Sequence, residues 1–182
     1  MKIEKVYIDG LIMIEPNVFY DNRGFFYESF NVETYSSITK SHSFVQDNVS
    51  KSQYGAIRGL HYQVGEFAQG KLVSVLVGKV LDVAVDIRFG SPTFGNYFAI
   101  ELSSENKKQF WIPPGFAHGF SVLSDEVLFT YKCTAKYNKD SERSIIYNDP
   151  DLNIDWKVKT KIVSEKDLVA NKFSEIEKDF IC

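Results

Sequence analysis

A chain of 182 residues with a net charge of −3 and a pI near 5.7 is sized for one domain, and its dispersed Lys and Arg make no basic stripe of the kind nucleic acids select. Hydrophobic residues at 44% supply a core, and aromatics at 15% favour sheets and stacking surfaces over helical bundles. No segment approaches the roughly 20 apolar residues of a membrane span, the first residues lack the apolar run of a signal peptide, and Cys133 and Cys182 make no disulfide framework, so a soluble protein of a reducing cytoplasm is expected, with no membrane or nucleic-acid partner.

In chain order, weak helical periodicity comes first, over residues 31–39. Two β-branched runs follow, 72–77 and 80–87, joined at Gly78-Lys79 as a turn. Alternation in the second run sets Leu81, Val83, Val85 and Ile87 on one face and Asp82, Ala84, Asp86 and Arg88 on the other, predicting a packed face and a polar or ligand-lined one. Runs at 97–102, 109–112, 119–123 and 127–134, separated by polar turns, continue the pattern of a β-sandwich or barrel. The charged residues after about 155 read as a tail of short helices packed outside the barrel, within a single domain spanning 1–182.

Only three histidines are present: His42, His61 and His118. The stretch PPGFAH at 113–118 keeps the Pro-x-Gly-x-x-His turn of metal-binding jelly rolls of the cupin type, but GLHYQ at 59–63 lacks their His-x-His pair. The scaffold is cupin-like and the ligand set incomplete, which disfavours a metal. His61 is then a candidate proton-transfer base, because an imidazole titrates near neutrality, although a lone strand histidine is more often structural. Arg58, Gly59 and Lys71 alter that balance, since cations near a base suit an enolate or a phosphate. Arg58 and His61 lie an odd number of residues apart, so a shared pocket requires a bulge, and Gly59 is its natural place. Tyr131 is a candidate acid, though most strand tyrosines only pack. Asp167, in SEKD at 164–167, reads as a helix-start charge, and it can orient His61 only if the fold returns it to the barrel mouth.

Several blocks in one register, between about residues 5 and 168, resemble the dTDP-4-dehydrorhamnose 3,5-epimerase family. They are FYDNRGFFYE at 19–28, FVQDN at 44–48, RGLH at 58–61, GSPTFG at 90–95, WIPPGFAHGF at 111–120, YKC at 131–133, Asp149-Pro150 and SEKD at 164–167. The resemblance implies an all-β, cupin-type jelly roll working as a homodimer without cofactor or metal. It implies His61 as base, Asp167 as its orienting carboxylate and Tyr131 as proton donor on the opposite face of the sugar. Lys71 and His118 resemble groups that hold the sugar and its enolate oxygen; Gln46, Asn48, Arg58, Glu142 and Lys166 match ligand-binding positions. Tyr137 matches the aromatic against which a nucleobase stacks, and Arg23 and Glu28 match positions that reach the partner subunit's pocket. The substrate class so implied is a nucleotide-diphosphate sugar, specifically a nucleotide-linked 4-keto-6-deoxy sugar destined for surface polysaccharide.

The chain departs from the usual pattern at Gly70, Val49, Ala135-Lys136 and residues 139–141, most of them near Tyr137. Alternatives are an epimerase of a GDP-linked 4-keto heptose, an enzyme inverting only C3 or only C5, a non-catalytic sugar-nucleotide-binding cupin, and a metal-dependent cupin.

Overall fold

The computed structural model describes residues 1–39 and 42–182. Its strands are β1 (Lys2–Lys5), β2 (Ile12–Glu15), β3 (Val18–Asp21), β4 (Gly24–Tyr27), β5 (Gln46–Gln53), β6 (Ala56–Gln63), β7 (Lys71–Val77), β8 (Lys79–Asp86), β9 (Tyr97–Ser103), β10 (Gln109–Ile112), β11 (Phe116–Val122), β12 (Glu126–Cys133), β13 (Glu142–Ser144) and β14 (Ile162–Val163). One sheet runs β1-β2-β10-β7-β12-β5 and the other β13-β6-β11-β8-β9, with β14 parallel to β6. The architecture is a jelly roll of two facing sheets, open at its edges rather than closed into a barrel. The hairpin β3–β4 pairs with neither sheet.

The alternation along β8 explains the layering. Val80 and Ala84 point between the sheets, where they pack with Val73, Val75, Phe110 and Phe129 of one sheet and Phe116, Phe120 and Val122 of the other. Val83, Val85 and Ile87 point outward into a second core, closed by Ile145, Leu152 and Trp156. Both faces are therefore packed, and the polar face expected from Asp82 and Asp86 is confined to those side chains. Asp86 is wholly buried, with its carboxylate accepting from Arg88, Ser91 and Thr93 at 2.6–3.0 Å. With its carboxylate out of solvent contact, these donors take the place of hydration.

Helix is scarce. Helix α1 (Val32–Ser36) starts at Asn31, whose side chain accepts from Glu33 and Thr34 N–H. Helix α2 (Glu165–Leu168) starts at Ser164. The stretch after residue 155 does carry short helical turns, α2 and a 3-10 turn at Phe173–Glu175, but it also adds β14 to a sheet and continues to a backbone pairing of Phe89 with Ile181 and Cys182. Cys182 is thus tied down although exposed, not the loose end its position suggests, and Cys133 is buried. Among the described residues no helix is long and apolar enough to cross a membrane.

Candidate active site

The cleft lies between the sheets, and each wall contributes different chemistry. From one sheet come Arg58 and His61 on β6 and His118 on β11; from the other come Lys71 on β7, Tyr131 on β12, and Gln46 and Asn48 on β5. A cavity of about 430 Å3 is lined by Arg58, His61, Lys71, His118, Tyr131, Lys166 and Asp167 together with Phe120 and Phe129. A smaller lobe of about 180 Å3 shares His61, Lys71 and Tyr131 and adds Gln46, Asn48, Tyr137 and Glu142.

His118 pairs with His61 and Phe120 with Arg58, so three steps along β6 match two along β11. That extra residue is a β-bulge at Gly59, and it brings Arg58 and His61 to one cavity despite their odd spacing. Gly59 has φ +131°, and a Cβ there would stand 2.5 Å from Gly119 Cα and 2.8 Å from the His118 carbonyl. Only glycine fits both demands.

Asp167 reaches His61 through the tail. Ile162 and Val163 pair in parallel with Ala56 and Ile57 of β6, Ser164 then caps α2, and Asp167 falls within its single turn. Its Oδ1 lies 2.6 Å from His61 Nε2, and its Oδ2 accepts the Gly59 N–H at 3.4 Å. Burial alone would raise this carboxyl; the hydrogen bond and charge of His61, helped by the Gly59 and Ser164 contacts, hold it below the usual carboxylate range. An ionised Asp167 can only accept, so the neutral His61 ring carries its proton on Nε2 and its lone pair on Nδ1.

His118 is buried and donates from Nε2 to Asp82 at 2.9–3.0 Å. Burial lowers the His118 imidazole against the pull of Asp82, raises Asp82, and lowers the Lys71 ammonium. Asp82 is the residue the motif reading missed, although its signal was visible as a carboxylate within an aliphatic run. Burial raises the Tyr131 phenol, which keeps it protonated at neutral pH. At the outer lobe Glu142 takes Lys166 Nζ at 2.5 Å and the Tyr137 hydroxyl at 3.0 Å, while Gln46 accepts the Tyr137 N–H at 2.8 Å. Arg23 and Glu28 are not brought to this cleft: Arg23 pairs with Asp21 at 2.6 Å, and Glu28 accepts from Asn31 at 3.2 Å. Among the described residues no group of three His, Cys, Asp or Glu side chains converges as a metal site; the two cleft histidines are each taken up by one carboxylate.

A jelly roll with an imidazole–carboxylate pair on one wall of its cleft and a phenol on the other can take a proton from one face of a bound molecule and return one to the other, which is the chemistry of an epimerase. Residues 5–175 match the family model for dTDP-4-dehydrorhamnose 3,5-epimerase, and the chain belongs to that family. A curated relative of that name from Shigella flexneri is 51% identical over 178 residues, covering 97% of this chain and 98% of the relative. The crystal structure of dTDP-6-deoxy-D-glucose-3,5-epimerase from Legionella pneumophila, in complex with dTDP-4-keto-L-rhamnose, superposes with a TM-score of 0.93 at 54% identity, covering 97% of this chain and 94% of that one. A 3'-monoepimerase from Streptomyces bikiniensis, in complex with dTDP-quinovose, is 32% identical with a TM-score of 0.88, covering 93% and 86%. The chain is accordingly an isomerase of the sugar-epimerase type.

Proposed function

We propose that this protein is a cofactor-independent 3,5-epimerase of a dTDP-linked 4-keto-6-deoxy sugar, with dTDP-4-dehydrorhamnose as its product. Nδ1 of His61 removes the proton from a carbon beside the C4 ketone, and the bonding pair moves into an enolate whose oxygen faces Lys71 and His118. Tyr131 then delivers its phenolic proton to the same carbon from the opposite wall, which inverts the centre. Repetition at the other carbon flanking the ketone needs a shift or flip of the ring, after His61 has passed its proton to solvent and the Tyr131 phenolate has taken one back. Asp167 fixes the imidazole tautomer, Asp82 fixes His118, and Tyr137 offers a face to the base while Gln46, Asn48, Arg58, Glu142 and Lys166 receive the nucleotide and diphosphate.

The observation that carries this reading is His61 on one sheet, paired with the buried Asp167 of α2, opposite Tyr131 on the other sheet. The choice of two centres over one rests on identity, 54% to the 3,5-epimerase against 32% to the 3'-monoepimerase. A homodimer in a reducing cytoplasm completes the proposal. It is supported by the free thiols of Cys133 and Cys182 and by an aromatic hairpin that neither sheet covers.

The test is turnover of dTDP-4-keto-6-deoxyglucose in deuterated water by metal-stripped protein, read by NMR at C3 and C5. Deuterium at both carbons with inversion is expected after exhaustive chelation. Incorporation at one carbon only reduces the enzyme to a monoepimerase, and activity restored only by a divalent ion defeats the cofactor-free mechanism.

A further inference from the structure

The inner face of β5 is polar at every second residue: Gln46, Asn48, Ser50 and Ser52. Their partners across the antiparallel pair with β12 are Cys133, Tyr131, Phe129 and Val127, which share that face because opposed residues point the same way. Three of the four polar rungs have a partner. Gln46 donates to Asn48 at 3.0 Å, Asn48 donates to the Cys133 sulfur at 3.6 Å, and Ser52 accepts from Arg58 Nε at 3.0 Å. The Ser50 hydroxyl has none among the described residues, although its oxygen is shut away from solvent. Buried hydroxyls are rarely left so, because removing them from water is repaid only by a hydrogen bond. Ser50 forms part of the wall of the larger cavity, and rotation about one bond turns its hydroxyl.

We infer that Ser50 is a substrate-positioning residue whose hydroxyl donates to an oxygen on the sugar. The inference rests on the epimerase reading and adds a residue to it. The sugar is favoured over the diphosphate by what surrounds Ser50. Its cross-strand neighbour Phe129 has its ring 5.9 Å from that of Tyr131 and 6.3 Å from that of His118, so Ser50 borders the proton donor and the imidazole that faces the enolate oxygen, where the reacting ring must lie.

Two isosteric variants test this without confusing shape with chemistry. Ser50→Thr keeps a hydroxyl on a β-branched side chain suited to a strand, and Ser50→Val replaces that hydroxyl by a methyl of similar volume. Wild-type protein is first assayed for C3 and C5 exchange; absence of exchange at both carbons defeats the epimerase reading and this inference with it. Given an active wild type, kcat/KM of the Val variant should fall about five- to tenfold below that of the Thr variant, the size of one lost hydrogen bond. Calorimetric titration should show the same loss of affinity for a dTDP-linked 6-deoxyhexose and none for dTDP. The ligand-free melting temperature of the Val variant should equal or exceed that of the Thr variant. Equal kcat/KM in the two variants overturns the role of Ser50, as does a loss accompanied by a lower ligand-free melting temperature. Equal loss of affinity for dTDP and for the dTDP-sugar moves the contact to the diphosphate and overturns the sugar assignment.

Discussion

At the scale of single residues, the decisive pair is His61 with Asp167, 2.6 Å apart. Replacing His61 by Asn removes the imidazole that takes the proton in this reading, and epimerisation should fall about 10²–10⁴-fold with the far-ultraviolet spectrum unchanged. Asp167→Asn is subtler. An amide nitrogen turned toward Nε2 would draw the ring proton to Nδ1 and occupy the basic atom, so turnover should collapse although His61 remains. Because the folded carboxyl of Asp167 is held below its unfolded value, its ionised form stabilises the protein above the unfolded value and ceases to do so as pH falls through the folded one. The Asn variant should therefore lose less melting temperature than wild type between neutrality and acid below about pH 4; equal acid slopes would refute that linkage. Tyr131→Phe separates abstraction from delivery: exchange beside the ketone should persist while net inversion falls much further. Exchange and inversion that fell together at both carbons would make Tyr131 a packing residue. His61 and Tyr131 were legible as residue types inside distinctive blocks, and Lys71 as a cation at the head of a following strand. The contact with Asp167 was legible only through the family resemblance and not from spacing, because 106 residues separate the two and only a two-residue strand pairing closes the gap.

At the scale of elements, the bulge in β6 is the feature on which the cleft depends, and the sequence disclosed it by contradiction: two pocket residues at an odd spacing with a glycine between them. Gly59→Ala tests it. The added methyl meets the Gly119 and His118 backbone below 3 Å at a backbone angle that side chains rarely adopt. Loss of about 2–4 kcal/mol in denaturant unfolding is expected, together with lower turnover per folded molecule, since Arg58 and His61 flank the displaced bond. An unchanged midpoint and turnover would show that β11 yields freely. The strands legible beforehand were the β-branched runs of β7 and β8 and the short apolar runs between polar turns that became β9 through β12. Strand β5 carries QDNVSKSQ, whose inward residues are polar because they line a cleft, so hydrophobic periodicity passes over it. The tail's short helices were expected and are present, while β14 went unread for a related reason: at two residues it is too short for any period to register.

At the scale of the whole molecule, the isolated hairpin β3–β4 poses the remaining problem. It exposes Phe19 at 64%, Tyr20 at 69%, Phe25 at 56% and Phe26 at 70%, and a two-stranded ribbon joined to no sheet is marginal alone in water. Arg23 sits in its turn with 85% of the side chain exposed, and Glu28 follows directly, both away from the cleft of their own chain. A second copy of the chain would bury those rings and receive those charges, and a two-fold axis would make the exchange mutual. The expected outcome is a dimer in sedimentation equilibrium, with each cleft completed in trans. Complementation distinguishes that arrangement from a dimer of independent sites. Glu28→Gln and His61→Asn should each be nearly inactive alone. After subunit exchange in equal amounts, half the dimers are hybrids, and each hybrid has one cleft with His61 from one chain and Glu28 from the other. Recovery of about a quarter of wild-type activity follows from that count. If mass spectrometry verifies exchange and activity stays at the level of the separate variants, Glu28 serves its own chain or none, and the hairpin would have to be covered by something other than a shared active site.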